Sequence, residues 1–192
     1  MKKLVLAAGI IAMMAIVNNA NAQRTGFGVK GGVSFTGVSN LRGNDRVTGH
    51  GGIYLQTKIN DKWAFQPELL YSAQGQHYTN DLDQRRTLAL DYVQLPLMFH
   101  YHPTKTFFVE VGPQAGLLVN GQTKDAGSGT DKINVEDSYK KADIGINAGV
   151  GVTITRHFGI YGRYTQGLID VAKSADVYRT NNGIQLGATV RF

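Results

Sequence analysis

From Thr25 onward, apolar side chains return at every second position in run after run, and no segment sustains helical spacing. In the first run Phe27, Val29, Gly31, Val33 and Phe35 alternate with Gly28, Lys30, Gly32 and Ser34. The second sets Ile53, Leu55 and Ile59 opposite Tyr54, Gln56 and Lys58, and the third sets Trp63, Phe65, Leu69 and Tyr71 opposite Gln66, Glu68, Ser72 and Gln74. In the fourth, Val93, Leu95, Leu97, Phe99 and Tyr101 oppose Gln94, Pro96 and His100. In the fifth, Phe107, Val109, Val111, Leu117 and Val119 oppose Glu110, Gly112, Gln114 and Gly116. The sixth opposes Ile144, Ile146, Val150 and Val152 to Asp143, Gly145, Asn147, Gly149 and Gly151. Phe158, Ile160 and Tyr164 then face away from Tyr161, Arg163 and Thr165, and Ile184, Leu186, Val190 and Phe192 from Gln185, Gly187, Thr189 and Arg191. Eight runs predict eight strands, with Pro96 and Pro113 weakening two ladders locally.

Several runs have the roughly 9 to 12 residues that a tilted strand needs to cross a hydrocarbon layer. The connections alternate too. Residues 60–62, 102–105 and 155–157 make short turns, whereas 36–49, 75–87, 120–141 and 167–180 are expected to be long loops. Short periplasmic turns and long external loops are the habit of outer-membrane barrels, and an even strand number then places both termini in the periplasm.

A soluble barrel with an apolar interior would alternate in the same way, so the composition of the polar face decides. That face is rich in glycine, at 28, 32, 112, 116, 145, 149, 151 and 187, which suits a crowded lumen better than a wetted exterior. Lys30, Lys58, Arg163 and Arg191 are expected to pair inside it with Glu68, Glu110 and Asp143 as a structural ion-pair network. Phe27, Trp63, Phe65, Tyr101, Phe107, Phe108, Phe158 and Phe192 gather near the periplasmic strand ends, as an interfacial girdle requires. Inside a bilayer every backbone polar group must be satisfied, and only a closed sheet does this. The chain is therefore expected to be all-β, an eight-stranded antiparallel up-and-down transmembrane β-barrel of OmpA/OmpX-like architecture.

Composition adds an address and removes some alternatives. Lys2 and Lys3, the apolar stretch Leu4 to Val17 and the Ala20-Asn21-Ala22 site read as a cleaved signal peptide over residues 1–22, leaving 23–192 as one barrel domain. Without the leader, 18 basic residues face 14 acidic ones, too mild a balance to imply nucleic acid. No cysteine occurs, which removes disulfides, thiolate metal sites and a lipid anchor after the leader.

Several segments carry a family likeness: Gly26-Phe27-Gly28-Val29-Lys30-Gly31-Gly32, Trp63-Ala64-Phe65-Gln66-Pro67-Glu68-Leu69-Leu70-Tyr71, Tyr92-Val93-Gln94-Leu95-Pro96-Leu97 and the terminal Arg191-Phe192. So do Val111-Gly112-Pro113, Gly149-Val150-Gly151 and Arg163-Tyr164-Thr165-Gln166-Gly167-Leu168. Over essentially the whole mature chain the sequence resembles the porin-family outer-membrane proteins of Bacteroidota, the group that includes PorT-like proteins. The resemblance implies the fold and leaves the task open between envelope integrity, loop presentation, and a transport or protein-export accessory role. Pore activity is not carried over, because eight strands enclose a filled lumen.

Chemistry is sought at five histidines, 50, 77, 100, 102 and 157. His100 and His102 share a polar face near a turn and read as a solvated pair before they read as metal ligands. His50, His77, Ser39 and Ser128 fall in predicted loops without an arrangement that proposes a triad, so no enzyme activity and no cofactor are expected; a lipid-modifying enzyme is the least favoured reading. Expected partners are the outer-membrane bilayer with its lipopolysaccharide, the barrel-assembly machinery that would read Phe192 during insertion, and a surface partner at loops such as residues 121–132. The chain is expected to act as a monomer.

Overall fold

The computed structural model describes residues 25–39, 43–79, 85–125, 132–134, 141–169 and 180–192. The expected leader, the mature start at Gln23 and Ser128 lie outside them. Antiparallel strands follow in chain order: β1 (Thr25–Val38), β2 (Gly43–Lys58), β3 (Trp63–Thr79), β4 (Arg85–Tyr101), β5 (Phe107–Asp125), β6 (Lys132–Asn134), β7 (Ala142–Thr153), β8 (Phe158–Gly167) and β9 (Asn181–Arg191). The sheet runs β4-β3-β2-β1-β9-β8-β7-β5, and the β4–β5 pairing closes it. The three-residue β6 adds to the free edge at the tip of β5 and takes no part in the ring. Eight strands thus form a closed barrel, whose first and last strands meet through pairs such as Gly32 with Gly187 and Val33 with Leu186.

Side-chain parity follows the sequence. Ile184 is 49% exposed while its neighbour Gln185 is 4% exposed, and the same contrast separates Val109 from Glu110 and Ile146 from Asn147. Apolar residues therefore face outward as a continuous belt, and polar ones fill the interior. At the short-turn end, rings meet across strands: Trp63 with Tyr101 at 4.9 Å, Phe65 with Phe99 at 5.0 Å and Phe27 with Phe192 at 5.8 Å between centroids. Phe108 departs from the expected girdle. Its parity turns it inward, where it is buried and stacks on His100 at 4.8 Å.

All three short turns share one local device. The side-chain oxygens of Asn60, Thr104 and Thr155 accept hydrogen bonds from the backbone N–H groups two and three residues later, at 2.9 to 3.3 Å. Such Asx and Ser/Thr turns satisfy donors that the tight reversal would leave bare.

The other end differs from expectation. β2 to β5 have 16, 17, 17 and 19 residues, well beyond the ~9–11 that span the hydrocarbon. Residues 43–49, 75–79, 85–87 and 120–125, expected in loops, continue these strands. Past Tyr92 the polarity inverts: Asp45, His77 and Asn120 face out, while Val38, Leu88, Leu90, Tyr92 and Leu118 form a buried apolar cluster inside. Beyond the bilayer the exterior meets water, so polar side chains take outward positions, while the interior there sets the apolar cluster beside the buried Gln74, Gln76 and Thr123. A bulge opposite Asp91 and Tyr92 inserts Val119 as an extra residue, after which Gly121 and Thr123 take the inward positions.

Candidate functional site: the charged lumen

The lumen is organised around Arg163, placed inward by β8 and 2% exposed. Its Nε and one terminal nitrogen donate to the Glu110 carboxylate at 2.7 and 3.0 Å. Its two terminal nitrogens donate to the Glu68 carboxylate at 2.9 and 2.8 Å. One guanidinium fork is thus shared by two carboxylates, a geometry that a lysine's point charge cannot reproduce. Lys30 from β1 donates to Glu68 Oε1 at 2.9 Å and lies 3.9 Å above the Tyr161 ring centroid. Gln66 donates to the same oxygen at 2.8 Å and is itself held by Gln56 at 2.9 Å. Two cations therefore face two carboxylates, so the buried set is neutral as a whole.

The four expected members Lys30, Glu68, Glu110 and Arg163 come together, and the other three do not. Lys58 ends β2 and is exposed at the short-turn mouth. Arg191 ends β9 at the same mouth, beside the Tyr54 hydroxyl. Asp143 begins β7 at the opposite end, buried and bound by the Asn181 amide at 3.1 Å. All three have the right parity, but each lies at the wrong height along the barrel axis.

Histidines also move from their expected places. His100 is 2% exposed rather than solvated, with Nε2 3.1 Å from Glu110 Oε2 but not aligned as a hydrogen bond. His50 and His77 sit on β2 and β3, not in loops; His77 faces out against the Thr87 hydroxyl at 2.9 Å. Ser39 binds Thr180 and Asn182 at the long-loop end.

Sequence reasoning missed the row Ser34, His50 and Tyr161: Ser34 Oγ is 2.7 Å from His50 Nδ1, and His50 Nε2 meets the Tyr161 hydroxyl. Their shared inward parity was the only available signal. A serine beside a histidine invites a nucleophile–base reading, but Ser34 is fully buried and the far imidazole nitrogen ends on a phenol, not on a carboxylate orienter. Ligand-type atoms of Glu68, His100 and Glu110 lie within 4.8 Å of one another. The carboxylates in this group are already neutralised by Arg163 and Lys30, so the donor set does not call for a metal.

What this interior does is close a tube. Polar groups interlock at mid-height, and the apolar cluster of Val38, Leu88, Leu90, Tyr92 and Leu118 caps them toward the long-loop end. On the short-turn side lie a vestibule of about 640 Å³ and, sharing Gln56, His102, Thr153 and Arg191 with it, a pocket of about 40 Å³ whose lining includes His100 and Glu110.

Comparison with known proteins agrees with this architecture. Neisserial surface protein A superposes with a TM-score of 0.58 at 12% identity, covering 88% of this chain and 97% of its own. Ail, the attachment invasion locus protein of Yersinia pestis, solved in complex with the heparin analogue sucrose octasulfate, gives 0.52 at 12% identity, covering 88% and 99%. These likenesses concern the fold. No curated protein matches the chain in sequence. The family model for the outer membrane protein beta-barrel domain matches residues 18–173, so the chain belongs to that family of outer-membrane barrels.

Proposed function

We propose that this protein is a non-conducting, non-enzymatic barrel that acts through its ends, contributing to envelope integrity and presenting its tall β2–β5 wall and connecting loops at the cell surface. The observation that carries this reading is the Arg163 bridge to Glu68 and Glu110, which occupies the lumen with groups that are all at most 2% exposed. A solute path would need a wet corridor past these residues, whereas their charges are spent on one another. In this reading the short-turn end, with both termini, faces the periplasm, as the lengths of the connections favour. The narrower placement among PorT-like proteins of Bacteroidota rests on the strand motifs alone.

Planar-bilayer recording of the purified barrel tests the reading. No steady current is expected across a range of voltages. A stable single-channel conductance in the unaltered protein would overturn it and restore the transport alternative.

A further inference from the structure

The short-turn mouth carries a charge pattern that sealing the barrel does not use. The vestibule of about 640 Å³ is lined by Lys58, Lys62, Lys105 and Arg191, with His102 and Trp63, and the one carboxylate in its lining is Asp61. Among the described residues none of Lys58, Lys62 and Lys105 has a carboxylate within ion-pair distance, in contrast to every cation of the lumen centre. Lys58 and Lys62 flank the β2–β3 turn and Lys105 belongs to the β4–β5 turn, so the three meet through two neighbouring turns of the barrel mouth. The chamber shares Gln56, His102, Thr153 and Arg191 with a smaller pocket lined in part by His100 and Glu110.

We propose that this vestibule is a binding site for a phosphate-type anion. Four positive charges against one negative in the lining match a multiply charged anion better than a single carboxylate. An arginine fork with flexible lysine point charges is the pairing that phosphate oxygens accept. The volume lies within the roughly 300–1,000 Å³ of small-molecule sites, enough for a phosphate with a modest organic group. Partial burial, aided by the neighbouring His100, Arg191 and Lys58, lowers the His102 pKa, so at neutral pH its ring offers an N–H or a lone pair without adding a charge. Trp63 links the chamber to the ring girdle, which sits at headgroup depth. Two sources of the phosphate therefore reach the mouth: a soluble phosphorylated compound in the facing compartment, or the headgroup of an inner-leaflet lipid.

Trp63 is the only tryptophan of the chain and lines the chamber, so it reports on the site directly. The full chain in phosphatidylcholine nanodiscs is titrated with inorganic pyrophosphate at constant ionic strength, following Trp63 fluorescence and, independently, equilibrium dialysis of labelled pyrophosphate. Saturable binding is expected, weakened at least tenfold by Lys58→Gln, Lys62→Gln and Lys105→Gln together. Lys141→Gln, an exposed site at the opposite end, should leave it unchanged. Heat-dependent gel mobility checks that each variant still folds. No saturable binding in dialysis, or equal affinity in the triple variant, would sink the proposal. Repeating the titration in discs containing phosphatidic acid separates the sources. Competition seen in the parent and in Lys141→Gln but lost in the triple variant identifies a lipid headgroup, and unchanged affinity identifies a soluble phosphate.

Discussion

Arg163 on β8 and Glu68 on β3 are 95 residues apart in sequence, and they join through two hydrogen bonds of 2.8 and 2.9 Å across the full width of the barrel. In the ring order β3 and β8 stand four strands apart in either direction, so this pair spans a diameter. Neither side chain keeps any exposure to solvent. The bridge needs the sheet to curl until opposite walls face each other, which couples the polar interior to the rolled sheet.

Removing Arg163 should therefore cost much more than one surface ion pair. Arg163→Ala takes from Glu110 the guanidinium that pairs with it and leaves it beside His100, with Lys30 farther off, and breaking a buried pair in this way costs about 3–5 kcal/mol. Urea titration of the barrel refolded in lipid vesicles reads this loss. Adding Glu110→Gln to Arg163→Ala should recover part of it, because the uncompensated charge is then gone. A single variant within about 1 kcal/mol of the parent, well short of the loss expected for a broken buried pair, would mean that the network holds nothing together.

Gln94 offers the opposite change. Its side chain is fully buried on β4, and neither amide atom has a hydrogen-bond partner among the described residues. It pairs across the strand with the equally buried Leu70. An unsatisfied buried polar group costs about 1–3 kcal/mol, so Gln94→Leu should raise stability by about 1 kcal/mol in the same titration. A loss of stability there would mean that the amide is satisfied in the folded barrel.

The barrel seam sets a steric limit that a pair of glycines can test. A Cβ on Gly32 of β1 would fall 2.0 Å from the Leu186 carbonyl oxygen of β9, whereas one on the exposed Gly49 would meet nothing nearer than 3.8 Å. Gly32→Ala must push the first and last strands apart, and it should reduce the heat-modifiable fraction severely. Gly49→Ala should change stability by no more than about 0.5 kcal/mol, as surface substitutions usually do. Equal behaviour of the two variants in a semi-native gel would refute this account of closure.

Parity was readable along the chain, and height was not. Strand count, closure and the inward direction of Lys30, Glu68, Glu110 and Arg163 follow from period two alone, because each lies on the face opposite an apolar neighbour. Lys58, Arg191 and Asp143 have that same parity, yet register and strand tilt put them at the two ends, and neither quantity is written in local alternation. The tall wall was missed for a different reason. Leu88, Leu90 and Tyr92 are apolar on even positions, and then Val93, Leu95 and Leu97 are apolar on odd ones. A search for one constant sense reads that change as the end of a strand. It is the point where the inward side chains change between polar and apolar while the ladder continues.

His102 should titrate far from an ordinary histidine. Partial burial at the mouth lowers its pKa from 6.5 to about 4, and the neighbouring His100, Arg191 and Lys58 push in the same direction. The unfolded chain therefore binds a proton between these two values that the folded barrel refuses. Its contribution to stability is complete above pH 6.5 and is lost as the pH falls through about 4. Ring chemical shifts of His102, assigned by comparison with His102→Gln, should give a midpoint near pH 4. The variant should lose that part of the acid sensitivity in refolding titrations. A midpoint near 6.5 would place the ring in open water and would remove it from the wall of the vestibule.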